Sequence, residues 1–378
     1  MMSASCLEAD LPTETLPAAR SLVTAGVRRY SFALPSEETS VRVAIFGTKA
    51  YDRRFLESAN RAFGHELRFF EARLDPAMAS LAAGYPAVCV FVNDLVDAAV
   101  LAELAKGGTR IVALRCAGYN NVDLRAAERH GIAVVRVPAY SPHAVSEFTV
   151  GLMLTLDRQI HRAWARVREN NFALDGLIGR NLHERTVGVV GTGRIGALVA
   201  RALALGFGCT VLAADLEPDA GLEQIGVRYL PLDALLASVD IVTLHCPLTQ
   251  DTRHLINREV LGRARDGLMV VNTSRGALID TAALIDALKC RKLGGVALDV
   301  YEQEGDLFFE DLSSEIVQDD IFQRLLTFPN VIVTGHQAFL TEEALSAIAQ
   351  TTLQSLADAE AGRPLAHRIG AELLRPGR

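Results

Sequence analysis

Three observations in the sequence predict an α/β protein built from two doubly wound parallel-sheet domains. At 378 residues the chain is too long for a single core. Short β-branched runs alternate with helix-length segments, the pattern of parallel strands covered on both faces. Midway along, TVGVVGTGRIGA at 186–197 shows an apolar run that breaks at spaced glycines and resumes at helical spacing.

The chain opens differently from its remainder. Residues 1–40 carry Pro12, Pro17, Pro35 and several acids, with no lysine and no apolar signal core. They read as a flexible tail, a short accessory helix or an over-extended start, and no function is assigned to them. From there strands are expected at 41–47, 67–70, 87–92, 110–115 and 132–137, with helices at 52–63, 77–83, 98–106 and 124–130. That is one α/β domain, complete before the glycines are reached. Ser141 and Pro142 then form an N-cap and first-turn pair. They open one long helix running to about residue 170. Apolar residues surround much of it, which fits a subunit interface or a wedge between two domains.

The second domain begins with the strand at 186–190 and the helix carrying Ile195, Leu198, Val199, Ala202 and Leu203. Strand, glycine turn and helix is the setting that gives GxGxxG a meaning. Gly191 permits the turn, Gly193 lets the backbone approach a pyrophosphate, and Gly196 lets helix pack on strand. A strand at 209–214 ends at Asp215, nineteen residues past Gly196. A ribose-binding carboxylate is expected at a spacing of about 20. Strands follow at 241–244, 268–271, 295–298 and 331–334, with a helix at 282–289. The helix at 342–357 closes the chain and is expected to pack back on the first domain.

Composition excludes several partners. Formal net charge is −7 with no long basic run, so neither nucleic acid nor an anionic membrane is expected. The six cysteines show no CxxC pair; they read as reduced core residues of a cytoplasmic protein, and no metal site is assigned.

Five polar features stand where second-domain strands end: Asp215, His245-Cys-Pro247, Asn272-Thr-Ser-Arg275, Asp299 and His336. Ligands of open α/β sheets bind outside the carboxyl ends of the strands. Taken singly, Arg275 reads as a surface arginine, His336 as a hydrogen-bonded structural histidine and Glu304 as one exposed acid among many. Together they make an anion clamp and a proton donor, which suits hydride transfer to a 2-keto acid.

At these residues the chain resembles the D-isomer-specific 2-hydroxyacid dehydrogenases, and within them the bacterial fermentative D-lactate dehydrogenases. The resemblance runs from residue 41 to about 364 through FGTKAYDRRF, ALRCAGYNNVDL, VRVPAYSPHAVSE, VVGTGRIG, LHCPLT, VNTSRGALID, LDVYEQEGDLFFED and TGHQAFLT. The last two separate it from phosphoglycerate and hydroxypyruvate enzymes, which typically have a shorter segment after the acid. Residues 1–40 have no counterpart in the typical member.

The resemblance implies a Rossmann NAD-binding domain, 141–336, inserted into a flavodoxin-like substrate domain, 41–140 with 337–378. It implies that Arg275 binds the substrate carboxylate and activates the carbonyl, that His336 is the general acid, and that Glu304 keeps it protonated. NAD would be held by Gly191, Gly193, Arg194, Ile195, Gly196, Asp215, Pro247, Thr273 and Asp299. Ala117 and Gly118 would offer backbone groups to the carboxylate, and Tyr140 and Phe339 would line the side-chain pocket. The expected reaction interconverts pyruvate and D-lactate in a cytoplasmic homodimer or homotetramer. The alternatives are a reductase of hydroxypyruvate, glyoxylate or phenylpyruvate, and an NADH-sensing binding protein on the same fold.

Overall fold

The computed structural model describes residues 40–374. The expectations for 1–39, Cys6 among them, lie outside the described residues.

Two sheets carry the molecule. The first contains β1 (Arg42–Ile45), β2 (Glu66–Phe69), β3 (Ala87–Val90), β4 (Ile111–Leu114), β5 (Ala133–Arg136) and, from the far end of the chain, β13 (Arg368–Ile369). Their order is β13-β5-β4-β3-β1-β2, all parallel except β13, which runs antiparallel to β5. The second contains β6 (Thr186–Val190), β7 (Thr210–Ala214), β8 (Arg228–Tyr229), β9 (Ile241–Leu244), β10 (Leu268–Asn272), β11 (Leu293–Leu298) and β12 (Val331–Val333). It is wholly parallel, in the order β12-β11-β10-β9-β6-β7-β8. Strand order reverses between β1 and β3 in one sheet and between β6 and β9 in the other, and such switch points open the crevices in which ligands bind.

Both sheets are buried on both faces, which is why their strands read as continuous apolar runs. Along β1, Val43 and Ile45 enter one core cluster and Ala44 the other, following the two-residue period of a strand. Met269 and Val271 of β10 likewise part from Leu268 and Val270. The helix Glu342–Glu360 returns to the first sheet, as expected, with Ala349, Leu353 and Leu356 packed on Val43 and Ile45. Each fully buried leucine, valine or isoleucine here stabilises by about 1.5–3 kcal/mol.

The structure corrects several expectations. The long helix of 141–170 is two helices, Pro142–Asp157 and Ile160–Arg168, separated at Gln159, whose φ of 53° is left-handed. The cause is tertiary. Residues 179–180 cross the end of the first helix, where Asp157 accepts from the Arg180 backbone at 3.2 Å and from its Nε at 3.3 Å. The segment at 77–83 yields only a 3-10 turn, Ala79–Ala82. Helices Leu232–Ser238, Arg258–Arg263 and Asp320–Leu326 and the two-residue strands β8 and β13 were not expected. They are too short to display a period.

Among the described residues all five cysteines are free, and no helix is long and apolar enough to cross a membrane.

Candidate active site

Beyond β6 the chain turns through Gly191 at φ 89°, where a β-carbon would lie 2.6 Å from the Cys246 amide nitrogen. A β-carbon on Gly196 would overlap the Gly191 carbonyl oxygen, so helix Arg194–Arg201 sits directly on the turn. Open space faces Gly193, which is exposed together with Arg194, while Ile195 turns inward to the core. No side chain caps this helix, so its first amides and the positive end of its dipole face that space.

Asp215 follows β7 and is fixed by the same turn. Its Oδ2 accepts from the Thr192 amide at 2.5 Å and the Thr192 hydroxyl at 3.0 Å, and its Oδ1 from the Glu217 amide at 3.1 Å. Tyr229 donates to the Thr192 hydroxyl at 2.9 Å. Partial burial alone would raise the Asp215 carboxyl; those hydrogen bonds outweigh it and hold it below the usual carboxylate range. Beneath the turn, burial lowers His245 to about 3 and keeps it neutral, with Nε2 2.9 Å from the Thr243 hydroxyl. The space before Gly193, the uncapped helix start and the anchored carboxylate fit a dinucleotide. Pro247 is exposed after β9, its carbonyl accepting from the Thr252 hydroxyl at 2.6 Å. Thr273 follows β10 and lies 2.8 Å from the Thr149 hydroxyl. Thr149 donates its single proton to the Val145 carbonyl at 2.7 Å, so Thr273 is the donor between them.

The neighbouring strands β10, β11 and β12 end at Asn272, Leu298 and Val333, and thereby bring Arg275, Asp299 and His336 to one edge. Asp299 is fully buried. Its Oδ1 accepts from the Thr334 hydroxyl at 2.6 Å and the Gln337 amide at 2.9 Å, its Oδ2 from the Ala338 amide at 2.8 Å. Burial raises its carboxyl, and these donors oppose the rise. The visible work of Asp299 is therefore to hold the turn that presents His336. His336 itself has a left-handed φ of 52°.

His336 Nδ1 lies 2.8 Å from Glu304 Oε1, and Glu304 Oε2 accepts from the Tyr301 amide at 2.9 Å. A carboxylate can only accept, so beside a Glu304 carboxylate Nδ1 is the donor and Nε2 is left for chemistry. The Arg275 guanidinium lies over Gly118 and donates to the Ser274 carbonyl at 2.7 Å. Ala117 is anchored by Arg136, which donates to its carbonyl at 2.7 Å; Cys116 donates to the Gly118 carbonyl at 3.2 Å. Burial pushes the Cys116 thiol and the Tyr140 hydroxyl each up to about 12, with Arg275 opposing both, so both stay neutral. Tyr140 and Phe339 meet edge to face, centroids 6.2 Å apart.

Sequence reasoning therefore placed the charged residues at the correct strand ends. It missed Arg136 and Thr149, which hold Ala117 and Thr273, and the rings of Phe91 and Phe309, which touch Phe339 and His336. Arg136 and Phe309 carried a signal only as members of VRVPAYSPHAVSE and LDVYEQEGDLFFED.

Comparison with known proteins points to one family. Residues 150–338 match the family described as D-isomer specific 2-hydroxyacid dehydrogenase, NAD binding domain. The chain is 51% identical to a D-lactate dehydrogenase of Escherichia coli, over 85% of this chain and 98% of that one. A solved apo structure of the Escherichia coli D-lactate dehydrogenase superposes with a TM-score of 0.80 at 47% identity, covering 87% of this chain and 100% of that one. The pyruvate reductase of Chlamydomonas reinhardtii superposes with a TM-score of 0.82 at 47% identity, covering 87% of this chain and 98% of that one. The chain belongs to the D-isomer specific 2-hydroxyacid dehydrogenase family of NAD-dependent oxidoreductases.

Proposed function

We propose that the protein interconverts pyruvate and D-lactate, and that Arg275, Glu304 and His336 are its catalytic residues. The observation that carries this reading is the His336–Glu304 pair at 2.8 Å, on the same sheet edge as an arginine laid over the Gly118 backbone. NADH, when bound, supplies the hydride from nicotinamide C4 to the keto carbon. The chain does the rest. His336 Nε2 gives a proton to the keto oxygen, while Nδ1 stays on Glu304 and stabilises the imidazolium in its working orientation. Arg275 grips the carboxylate through its planar fork and polarises the carbonyl. Ala117 and Gly118 supply backbone groups to the same carboxylate, and Tyr140 and Phe339 bound the methyl group.

In this reading the glycine turn (Gly191, Gly193, Arg194, Ile195, Gly196) would carry the pyrophosphate of NAD, and Pro247 and Thr273 would also bind the cofactor. Asp215 would accept from the ribose hydroxyls, and Asp299 would orient the carboxamide. Residues 41–140 with 337–378 form the substrate domain and 141–336 the nucleotide domain. The protein works as a cytoplasmic homodimer or homotetramer.

The test is NADH oxidation with pyruvate, hydroxypyruvate, glyoxylate and phenylpyruvate, followed by chiral analysis of the product. Pyruvate should lead and give D-lactate. An L-product, or a lead by one of the other three acids, overturns the proposal.

A further inference from the structure

The segment LFFED, at 307–311, follows Glu304 closely in sequence. Its two aromatic rings go opposite ways. Phe308 turns back into the second domain and packs edge to face with Phe322, centroids 5.9 Å apart. Phe309 turns across to the first domain. Its ring lies 5.7 Å from the His336 imidazole and 5.2 Å, edge to face, from Phe91 at the end of β3.

That reversal needs an unusual backbone. Phe309 has φ 70°, a left-handed conformation that is sterically disfavoured for a bulky L-residue and natural for glycine or asparagine. Such strain persists where the surroundings enforce it, and it concentrates at ligand-binding sites. Here the surroundings are visible on both sides. Lys49 Nζ meets Glu310 Oε2 at 2.9 Å, Arg73 donates to the Gly305 carbonyl, and Arg73 Nη2 lies 3.5 Å from Asp306. Three cross-domain contacts thus hold the segment against the first domain.

Phe91 is a rigid partner. The buried Arg115 guanidinium stands 4.9 Å over its ring and donates to the Phe46 and Gly47 carbonyls at 2.9 and 2.8 Å. Phe91 also meets Phe339 at 5.8 Å, and Phe339 meets Tyr140. The rings therefore run without a gap from Tyr140 through Phe339 and Phe91 to Phe309 and the imidazole of His336.

We propose that Phe309 is a specificity-determining residue: from the nucleotide-binding domain it completes the aromatic wall that limits the side chain of the 2-keto acid beside His336. This deepens the 2-keto-acid reading and rests on it. A pocket closed from both domains accepts a methyl group and admits longer chains only when one ring withdraws. Strain at residue 309 is the cost of delivering that ring from the second domain.

The experiment compares the parent with Phe309→Leu, Phe309→Ala and Phe309→Asn. It measures kcat/KM with NADH for pyruvate, 2-ketobutyrate and 2-ketohexanoate, NADH affinity by fluorescence, and thermal midpoint. In Phe309→Ala and Phe309→Asn, kcat/KM for pyruvate should fall at least tenfold and its lead over 2-ketohexanoate should shrink at least fivefold. Phe309→Leu should fall between them and the parent. NADH affinity should stay within twofold, which shows the nucleotide domain intact. Phe309→Asn should melt no lower than Phe309→Ala, because asparagine accepts the left-handed backbone. Equal losses on all three acids in a folded, NADH-binding variant would make Phe309 a structural clasp and overturn the proposal. A parent that reduces none of these acids would instead remove the functional reading beneath it.

Discussion

Gly118 and Arg275 share one space: a β-carbon at residue 118 would overlap the Arg275 guanidinium. The obstructed group is the far end of a flexible side chain, so the conflict resolves by moving the arginine, not the backbone. Gly118→Ala should therefore fold with a stability change within about 0.5 kcal/mol, as for a surface substitution. Its KM for pyruvate should rise at least tenfold, a loss of about 1.4 kcal/mol. Arg275→Lys should behave alike, since it keeps the charge and loses the planar fork. Steady-state kinetics and thermal melting on both variants check the pair. Unchanged KM in Gly118→Ala would move the carboxylate site away from this arginine.

Glu304 is held at both oxygens, by the Tyr301 amide and by His336 Nδ1. Glu304→Gln keeps the size and one acceptor but removes the charge that stabilises the imidazolium formed or consumed in the reaction. It should lower kcat/KM for pyruvate by about a hundredfold, the lower end of the range for acid–base catalysis. NADH affinity should be untouched, because the glycine turn lies on another strand end. A variant with parental kcat/KM would show that the 2.8 Å contact has no catalytic role.

Asp215 gives two predictions. Its carboxylate would repel a 2′-phosphate, so NADH should be preferred over NADPH by at least tenfold in kcat/KM, or about 1.4 kcal/mol. The second concerns pH. Hydrogen bonds hold its folded pKa below the ordinary value of 3.8, so the folded state binds this proton less readily than the unfolded chain. The stabilisation is therefore present above that value and is lost as pH falls through the lower folded one. Because the residue is largely exposed, the effect is small. Between pH values of about 5 and 3, Asp215→Asn should lose less of its melting temperature than the parent does. Equal losses in the two proteins would show that the Thr192 contacts do not stabilise the folded state.

How much of this could be read in the sequence depended on what each residue answers to. Asp215, Arg275, Asp299 and His336 were legible because each follows a buried apolar run, and a parallel sheet places such positions along one edge. Gly191 and Gly196 were legible because no other residue tolerates those approaches. The break at Gln159 was not, since its cause, the crossing of residues 179–180, is distant in sequence. Phe309 was quoted only as part of a motif; its ring goes to the first domain because of a backbone angle and an ion pair that no periodicity reveals. Arg115 is buried in a position where charged residues are rare, and its partners arrive from elsewhere, Phe46 and Gly47 from the end of β1 and Asp52 from the helix Ala50–Asn60. Tertiary partners of this kind leave no local pattern.

The last prediction concerns assembly. Helix Ile160–Arg168 and the chain after it expose Ile160, Trp164, Val167, Phe172, Leu174 and Ile178, with Leu174 at 78% and Ile178 at 94% of full exposure. Large apolar side chains exposed along one segment fit an association site. The break at Gln159 is what turns the second helix outward, so this arm belongs to the fold and does not depend on the catalytic groups. Trp164→Glu combined with Ile178→Glu should shift the protein toward monomer in light scattering after gel filtration. NADH affinity of the separated chains should stay within twofold of the parent's. A parent that is already monomeric at micromolar concentration would end the homo-oligomer proposal. A double variant that keeps the parental mass would place the interface elsewhere on the surface.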